Sequence, residues 1–89
     1  DAAIEVPCFI SSSGASPLSL SKPLQPAVRG LLQVVKAYEE LTIEAAVHGD
    51  YHSAFHALTI HPLVGTSALA KAILDDLITA HRKYLPQFA

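Results

Sequence analysis

At 89 residues the chain is one small domain at most: single cores usually need about 100–150 residues, so a self-contained multi-domain enzyme is excluded. Hydrophobic residues make up 51% and charged residues 16%, a balance that can fill a small core and is far from the composition of a disordered chain. Eight acidic against six basic residues leave a net charge of −2, too little positive field to draw the chain to nucleic acid or anionic lipid.

The expected fold class is α+β, an N-terminal β-hairpin or strand pair followed by three α-helices. Ile4, Val6, Cys8 and Ile10 alternate with Glu5, Pro7, Phe9 and Ser11; the cluster 11–16 interrupts, and 17–21 alternates again. This predicts strands at about 4–10 and 17–21. Pro7 has no amide hydrogen to donate, which makes the first strand an edge strand or turns that nitrogen away from any neighbour.

Pro26 suits the first turn of a helix, and Val28, Leu31, Leu32, Val35, Tyr38, Thr42, Ala45 and Ala46 then recur at helical spacing up to Gly49, a residue type found just past helix ends. The first helix is therefore placed at about 26–48. Leu41, Ile43 and Val47 widen its apolar face, predicting packing on two sides. Asp50 is a good N-cap for a second helix at about 51–60, with Tyr51, Ala54, Phe55 and Leu58 on its buried side. Thr66 or Ser67 caps a third at about 67–85, whose apolar set runs from Leu69 and Ala70 to His81 and Leu85 until Pro86 stops it. Short connections favour antiparallel neighbours.

Cys8 is the single cysteine, which rules out an internal disulfide and points to a reducing compartment, with the cytoplasm as expected location. No apolar run approaches the roughly 20 residues of a membrane-spanning helix, and Asp1-Ala2-Ala3 lacks the basic region of a signal peptide. The chain contains no methionine and reads as strand from its fourth residue. The expectation is that residues 1–89 are a single domain fragment of a larger protein.

No constellation in the sequence carries chemistry by itself. His48, His52 and His56 are each four apart, with His61 close behind, but Gly49 and Asp50 break the helical register and no Glu follows His52, so a metal site is not expected. Cys8 falls on the alternating face of Ile4, Val6 and Ile10, where a thiol acts as a small buried hydrophobe. Glu39, Glu40 and Glu44 read as a solvated helix face, with Lys36 one turn before Glu40; adjacent Asp75 and Asp76 diverge around their helix. Glycines occur only at 14, 30, 49 and 65, which match no nucleotide-binding loop, and the third helix lacks the side chains of a DNA-recognition helix. These residues leave open a stand-alone helical protein-interaction module whose wide apolar helix 26–48 mediates oligomerisation.

The run from Ala27 to Glu39 (AVRGLLQVVKAYE), then Glu44 to Tyr51 (EAAVHGDY), His61-Pro62-Leu63-Val64 and the closing Tyr84-Leu85-Pro86-Gln87-Phe88 resemble the C-terminal end of family 4 glycoside hydrolases, most of all the bacterial 6-phospho-β-glucosidases. Glu5-Val6-Pro7-Cys8 and Gly14-Ala15-Ser16-Pro17-Leu18 resemble the strand pair that precedes those helices, so the likeness covers nearly the whole chain. It implies a parent enzyme of several hundred residues, with NAD on an N-terminal dinucleotide domain and a divalent metal, usually manganese. Such enzymes cleave phosphorylated β-glucosides by transient oxidation at C3, loss of the C2 proton, elimination, water addition and reduction, unlike two-carboxylate glycosidases.

The resemblance also implies that the fragment 1–89 is the C-terminal domain, and it implies dimers or tetramers and partnership of this segment with the missing N-terminal domain. The family's metal-binding cysteine precedes Asn-x-Pro, whereas Cys8 precedes Phe9-Ile10-Ser11. No catalytic, cofactor-binding or metal residue is therefore assigned in this chain, which by itself is expected to be inactive. The parent's substrate is not determined by these residues.

Overall fold

A computed structural model describes residues 3–88 as two strands, three α-helices and two single 3₁₀ turns in chain order. Residues 1, 2 and 89 of the expected 1–89 domain lie outside the described residues. Strands β1 (Cys8–Ser11) and β2 (Gly14–Pro17) pair antiparallel, with Cys8 opposite Pro17, Phe9 opposite Ser16, Ile10 opposite Ala15 and Ser11 opposite Gly14. Gly14, at φ +104°, takes up the positive φ of the reversal that no other residue type in the described chain adopts.

The strands expected at 4–10 and 17–21 are thus corrected to shorter, shifted ones. Alternation marks residues suited to a strand, but a ladder forms only where a partner stands opposite. With Ser12 and Ser13 as the whole connection, pairing begins at Gly14, and the stretch read as a turn supplies β2. Beyond the ladder the Leu18 N–H donates to the Pro7 carbonyl at 3.0 Å, a bond that uses only the half of Pro7 able to take part.

Helix α1 (Pro26–His48) begins with proline at its first position and ends at Gly49, whose left-handed φ of +67° turns its N–H onto the Ala45 carbonyl at 2.8 Å. Helix α2 (Tyr51–Ile60) is capped by Asp50, which accepts from the His52 N–H at 3.0 Å and the Ser53 hydroxyl at 2.7 Å. Helix α3 (Ser67–Ala80) is capped by Thr66, whose hydroxyl accepts from the Leu69 N–H at 3.2 Å.

The third helix was expected to reach 85 and stops at Ala80. Residues Arg82–Tyr84 and Pro86–Phe88 form 3₁₀ turns that lead the chain back to the C-terminal end of α1, where the Gln87 side-chain amide donates to the Ala46 carbonyl at 3.0 Å. A continued helix would carry the chain straight on. Pro86 adds to the bend because it excludes Leu85 from helical backbone angles, and Leu85 lies at φ −123°, ψ 53°.

The buried core consists of Ala45, Ala57, Ala70 and Leu74, one or two from each helix. Small side chains there let α1 close on α2 and α2 on α3. Against this, Val28, Leu31, Leu32, Ile43 and Val47 of α1 are exposed. The two-sided packing expected for α1 is therefore not made among the described residues.

The radius of gyration is 17.1 Å, where a compact domain of this length has about 12 Å. The accessible surface is 7029 Å², where a folded monomer of this mass has roughly 5,000 Å². The excess, on the order of 2,000 Å², is as large as the area buried in a substantial protein interface.

Candidate functional site

Three features could in principle carry function: an apolar groove, a polar cluster between two helices, and the scattered histidines. The groove runs between residues 3–7, Leu18, Leu20 and Leu24 on one side and Leu32, Val35 and Lys36 of α1 on the other, and encloses about 860 Å³. Its lining is aliphatic except for Glu5 and Lys36. The Lys36 ammonium donates to the Ala3 carbonyl and to Glu39 at 2.7 Å, tying the N-terminal segment to α1. Lys36 thus pairs with Glu39 one short turn away, not with Glu40 as its spacing suggested. An open aliphatic groove can cover another apolar surface; it holds no pair of groups for acid and base work.

The polar cluster joins α2 to α3. Asp75 accepts from the Tyr51 hydroxyl at 2.7 Å on one oxygen and from the Lys71 ammonium on the other. These bonds hold the Asp75 carboxyl below its ordinary range, chiefly through Lys71, and push the Tyr51 phenol and the Lys71 ammonium up. Both carboxylate oxygens are engaged, so Asp75 acts as a latch between helices rather than as a free base. Tyr51, expected on the buried side of α2, lies at the surface, 36% exposed, with its hydroxyl bonded to Asp75. The Lys71 to Asp75 spacing was a legible signal for half of this cluster, but no sequence signal joins Tyr51 to Asp75.

The histidines do not converge. His52 and His56 are exposed on α2, as their place off the apolar stripe predicted, and His48 lies on α1 with its ring 3.7 Å from Glu44. His61 meets the Tyr38 ring edge-on, centroids 4.6 Å apart, and its Nδ1 accepts from the Leu63 N–H at 3.1 Å. Among the described residues no three His, Cys, Asp or Glu side chains come together as metal ligands. The donors present here do not fit the divalent metal that the resemblance implies, and the four glycines form no loop for a dinucleotide.

Cys8 corrects another expectation. It is exposed, not buried, because neither face of the hairpin is covered by the helices: every residue of β1 and β2 is exposed, Phe9 to 64%. Among the described residues no helix is long and apolar enough to cross a membrane.

A sequence model described as the family 4 glycosyl hydrolase C-terminal domain matches residues 1–64. A probable 6-phospho-beta-glucosidase of Bacillus subtilis (strain 168) is 47% identical over 88 residues, which are 99% of this chain and 20% of that protein. The 6-phospho-beta-glucosidase of Escherichia coli (strain K12) is 33% identical over 89 residues, all of this chain and 20% of the relative. The maltose-6'-phosphate glucosidase of Fusobacterium mortiferum is 35% identical over 85 residues, 96% of this chain and 19% of the relative. A crystal structure of a 6-phospho-alpha-glucosidase from gut microorganisms, in complex with NAD and glucose-6-phosphate, superposes with a TM-score of 0.81 at 31% identity, over 93% of this chain and 19% of that one. The chain spans about a fifth of the length of the curated relatives it matches.

Proposed function

Because this chain belongs to the family 4 glycosyl hydrolases, as their C-terminal domain, we propose that it is the C-terminal structural part of a 6-phospho-β-glucosidase and is inactive by itself. The observation that carries this reading is the 47% identity to a probable 6-phospho-beta-glucosidase across 99% of the chain. The relatives named for α-linked or maltose phosphates are 29–36% identical, a range that also holds the Escherichia coli 6-phospho-beta-glucosidase at 33%. The β-linked substrate is therefore supported by the Bacillus subtilis relative alone.

In this reading the whole enzyme uses NAD, which the α-glucosidase of the superposed structure binds, and a divalent metal, both held outside this chain. NAD would supply hydride removal and return. The work of these residues is mechanical. Helices α1, α2 and α3 make a scaffold closed by the Asp75 latch, while the hairpin, the groove and the first half of α1 present aliphatic surface to the N-terminal body of the enzyme and to sister subunits in a cytoplasmic dimer or tetramer. Exposed Ile4, Leu18, Leu20, Leu31 and Leu32 are the natural contacts, since a patch of this size is seldom left in water.

The test is to assay the full-length enzyme that ends in this segment with aryl β- and α-glucoside 6-phosphates, NAD and Mn²⁺. Turnover of the β-anomer that is lost on removing NAD, and no turnover by the 89 residues alone, is the expected result. Preference for the α-anomer would overturn the substrate; activity of the isolated chain would overturn its structural role.

A further inference from the structure

We propose that the outer edge of β1 receives an added β-strand, contributed by the part of the same polypeptide that lies outside this chain. The inference rests on the reading above, that the chain is one part of a larger enzyme. In an antiparallel pair, opposed residues alternate between those that bond to each other and those whose N–H and C=O point away from the partner. The Leu18 N–H to Pro7 carbonyl bond fixes this phase, because it makes Pro7 and Leu18 a bonded pair in the register of the hairpin. Cys8 and Pro17 are then an outward pair, Phe9 and Ser16 a bonded one, and Ile10 and Ala15 outward again.

The two outer edges are consequently unequal. On β1 the outward residues are Cys8 and Ile10, each with a donor and an acceptor. On β2 they are Ala15 and Pro17, and Pro17 has no N–H to give. Pro7, from which the sequence predicts an edge strand or a nitrogen turned away from any neighbour, directs its missing donor inward toward β2 and leaves the outer edge of β1 intact.

An isolated two-stranded sheet is marginal in water, and this one lies with both faces exposed. The occupant follows from proportion: 93% of the chain superposes on 19% of a solved enzyme, so the bulk of such an enzyme is available to pass beside it.

The test compares Ile10→Pro with Ala15→Pro in the full-length enzyme. The two residues face each other in one outward pair, so each substitution removes an outward donor from the same hairpin. Ile10→Pro is expected to lower the thermal midpoint of the assembled enzyme and Ala15→Pro to leave it nearly unchanged. Hydrogen exchange gives a second reading on the unaltered protein: the Cys8 and Ile10 amides should exchange at least about tenfold more slowly in the enzyme than in the 89-residue chain. Equal effects of the two prolines, a larger effect of Ala15→Pro, or unprotected Cys8 and Ile10 amides in the enzyme would overturn the added strand. Protection in the isolated chain that is lost on dilution would assign the edge to a second copy and overturn it as well. Failure of the parent reading is separate: the unaltered enzyme would then show no phosphoglucosidase activity, whatever the prolines do.

Discussion

Gly49 and Gln87 stand so close that a Cβ on Gly49 would lie 1.8 Å from the Gln87 carbonyl oxygen. The same glycine ends α1 with a φ of +67°. One residue thereby turns the chain into α2 and makes room for the returning C-terminus, whose Gln87 side chain is bonded to the neighbouring Ala46 carbonyl. Gly49→Ala should destabilise the chain by at least about 2 kcal/mol, since the left-handed backbone alone costs roughly 1–2 kcal/mol for alanine. Gly30→Ala is the control: it lies inside α1 with open space around it, and should stabilise by roughly 0.5–1 kcal/mol. Thermal melts followed by circular dichroism check both, at about 4–8 °C for each kcal/mol.

Leu74 is 6% exposed in α3, whereas Leu63 is 89% exposed in the turn before it. Leu74→Ala should cost roughly 2–5 kcal/mol, through lost burial and the cavity left behind. Leu63→Ala should stay within about 0.5 kcal/mol. Urea unfolding midpoints decide the matter, and similar losses at both sites would contradict the packing of α2 on α3.

Thr66→Ala removes the acceptor for the Leu69 N–H at the start of α3. A loss of about 1 kcal/mol is expected. Thr66→Ser keeps the oxygen and should recover most of it, which a urea midpoint measured on both variants will show.

Acid should weaken the fold through Asp50 and Asp75. The carboxyl of Asp50 is held below its ordinary value by the Ser53 hydroxyl and the His52 amide, and that of Asp75 by Lys71 and then Tyr51. A carboxyl with a lowered folded pKa binds fewer protons folded than unfolded. Its stabilisation is present above the ordinary value of 3.8 and is lost as pH falls through the lower folded value. Melting midpoints measured downward from about pH 6 should therefore drop most steeply below about pH 4, and more gently in the double variant Asp50→Asn with Asp75→Asn.

At the alkaline end the sign is reversed. Tyr51 and Lys71 are both raised, first of all by their bonds to Asp75. Their stabilisation is complete below their ordinary values of 10.0 and 10.5 and is lost as pH rises through the raised folded ones. Ultraviolet titration of the three tyrosines should show a late component, which Asp75→Asn and Tyr51→Phe each remove. Its persistence in Asp75→Asn would break the link between α2 and α3.

The helices and their caps were legible in the sequence because they depend on near neighbours. Pro26, Gly49, Asp50 and Thr66 act on backbone groups within one turn, and the apolar positions of α1 repeat along a single rod. The C-terminal likeness to family 4 glycoside hydrolases was legible too, as an ordered set of short motifs. No site residue was assigned from sequence, and the side chains that do meet across the fold escaped it: Tyr51 with Asp75, Lys36 with the Ala3 carbonyl, and Gln87 with Ala46.

Sequence alone therefore determined the helix starts, the end of α1, the short connections and the family. The tertiary structure decided where the β-ladder begins, that α3 yields to 3₁₀ turns at Arg82, and that Cys8 and the first half of α1 are uncovered. The physical reason is range. A cap or a helical stripe is satisfied by atoms a few residues away, whereas strand register, burial and the return of the C-terminus to α1 depend on partners distant along the chain, and for the hairpin edge and the aliphatic groove those partners belong to the rest of the enzyme we propose.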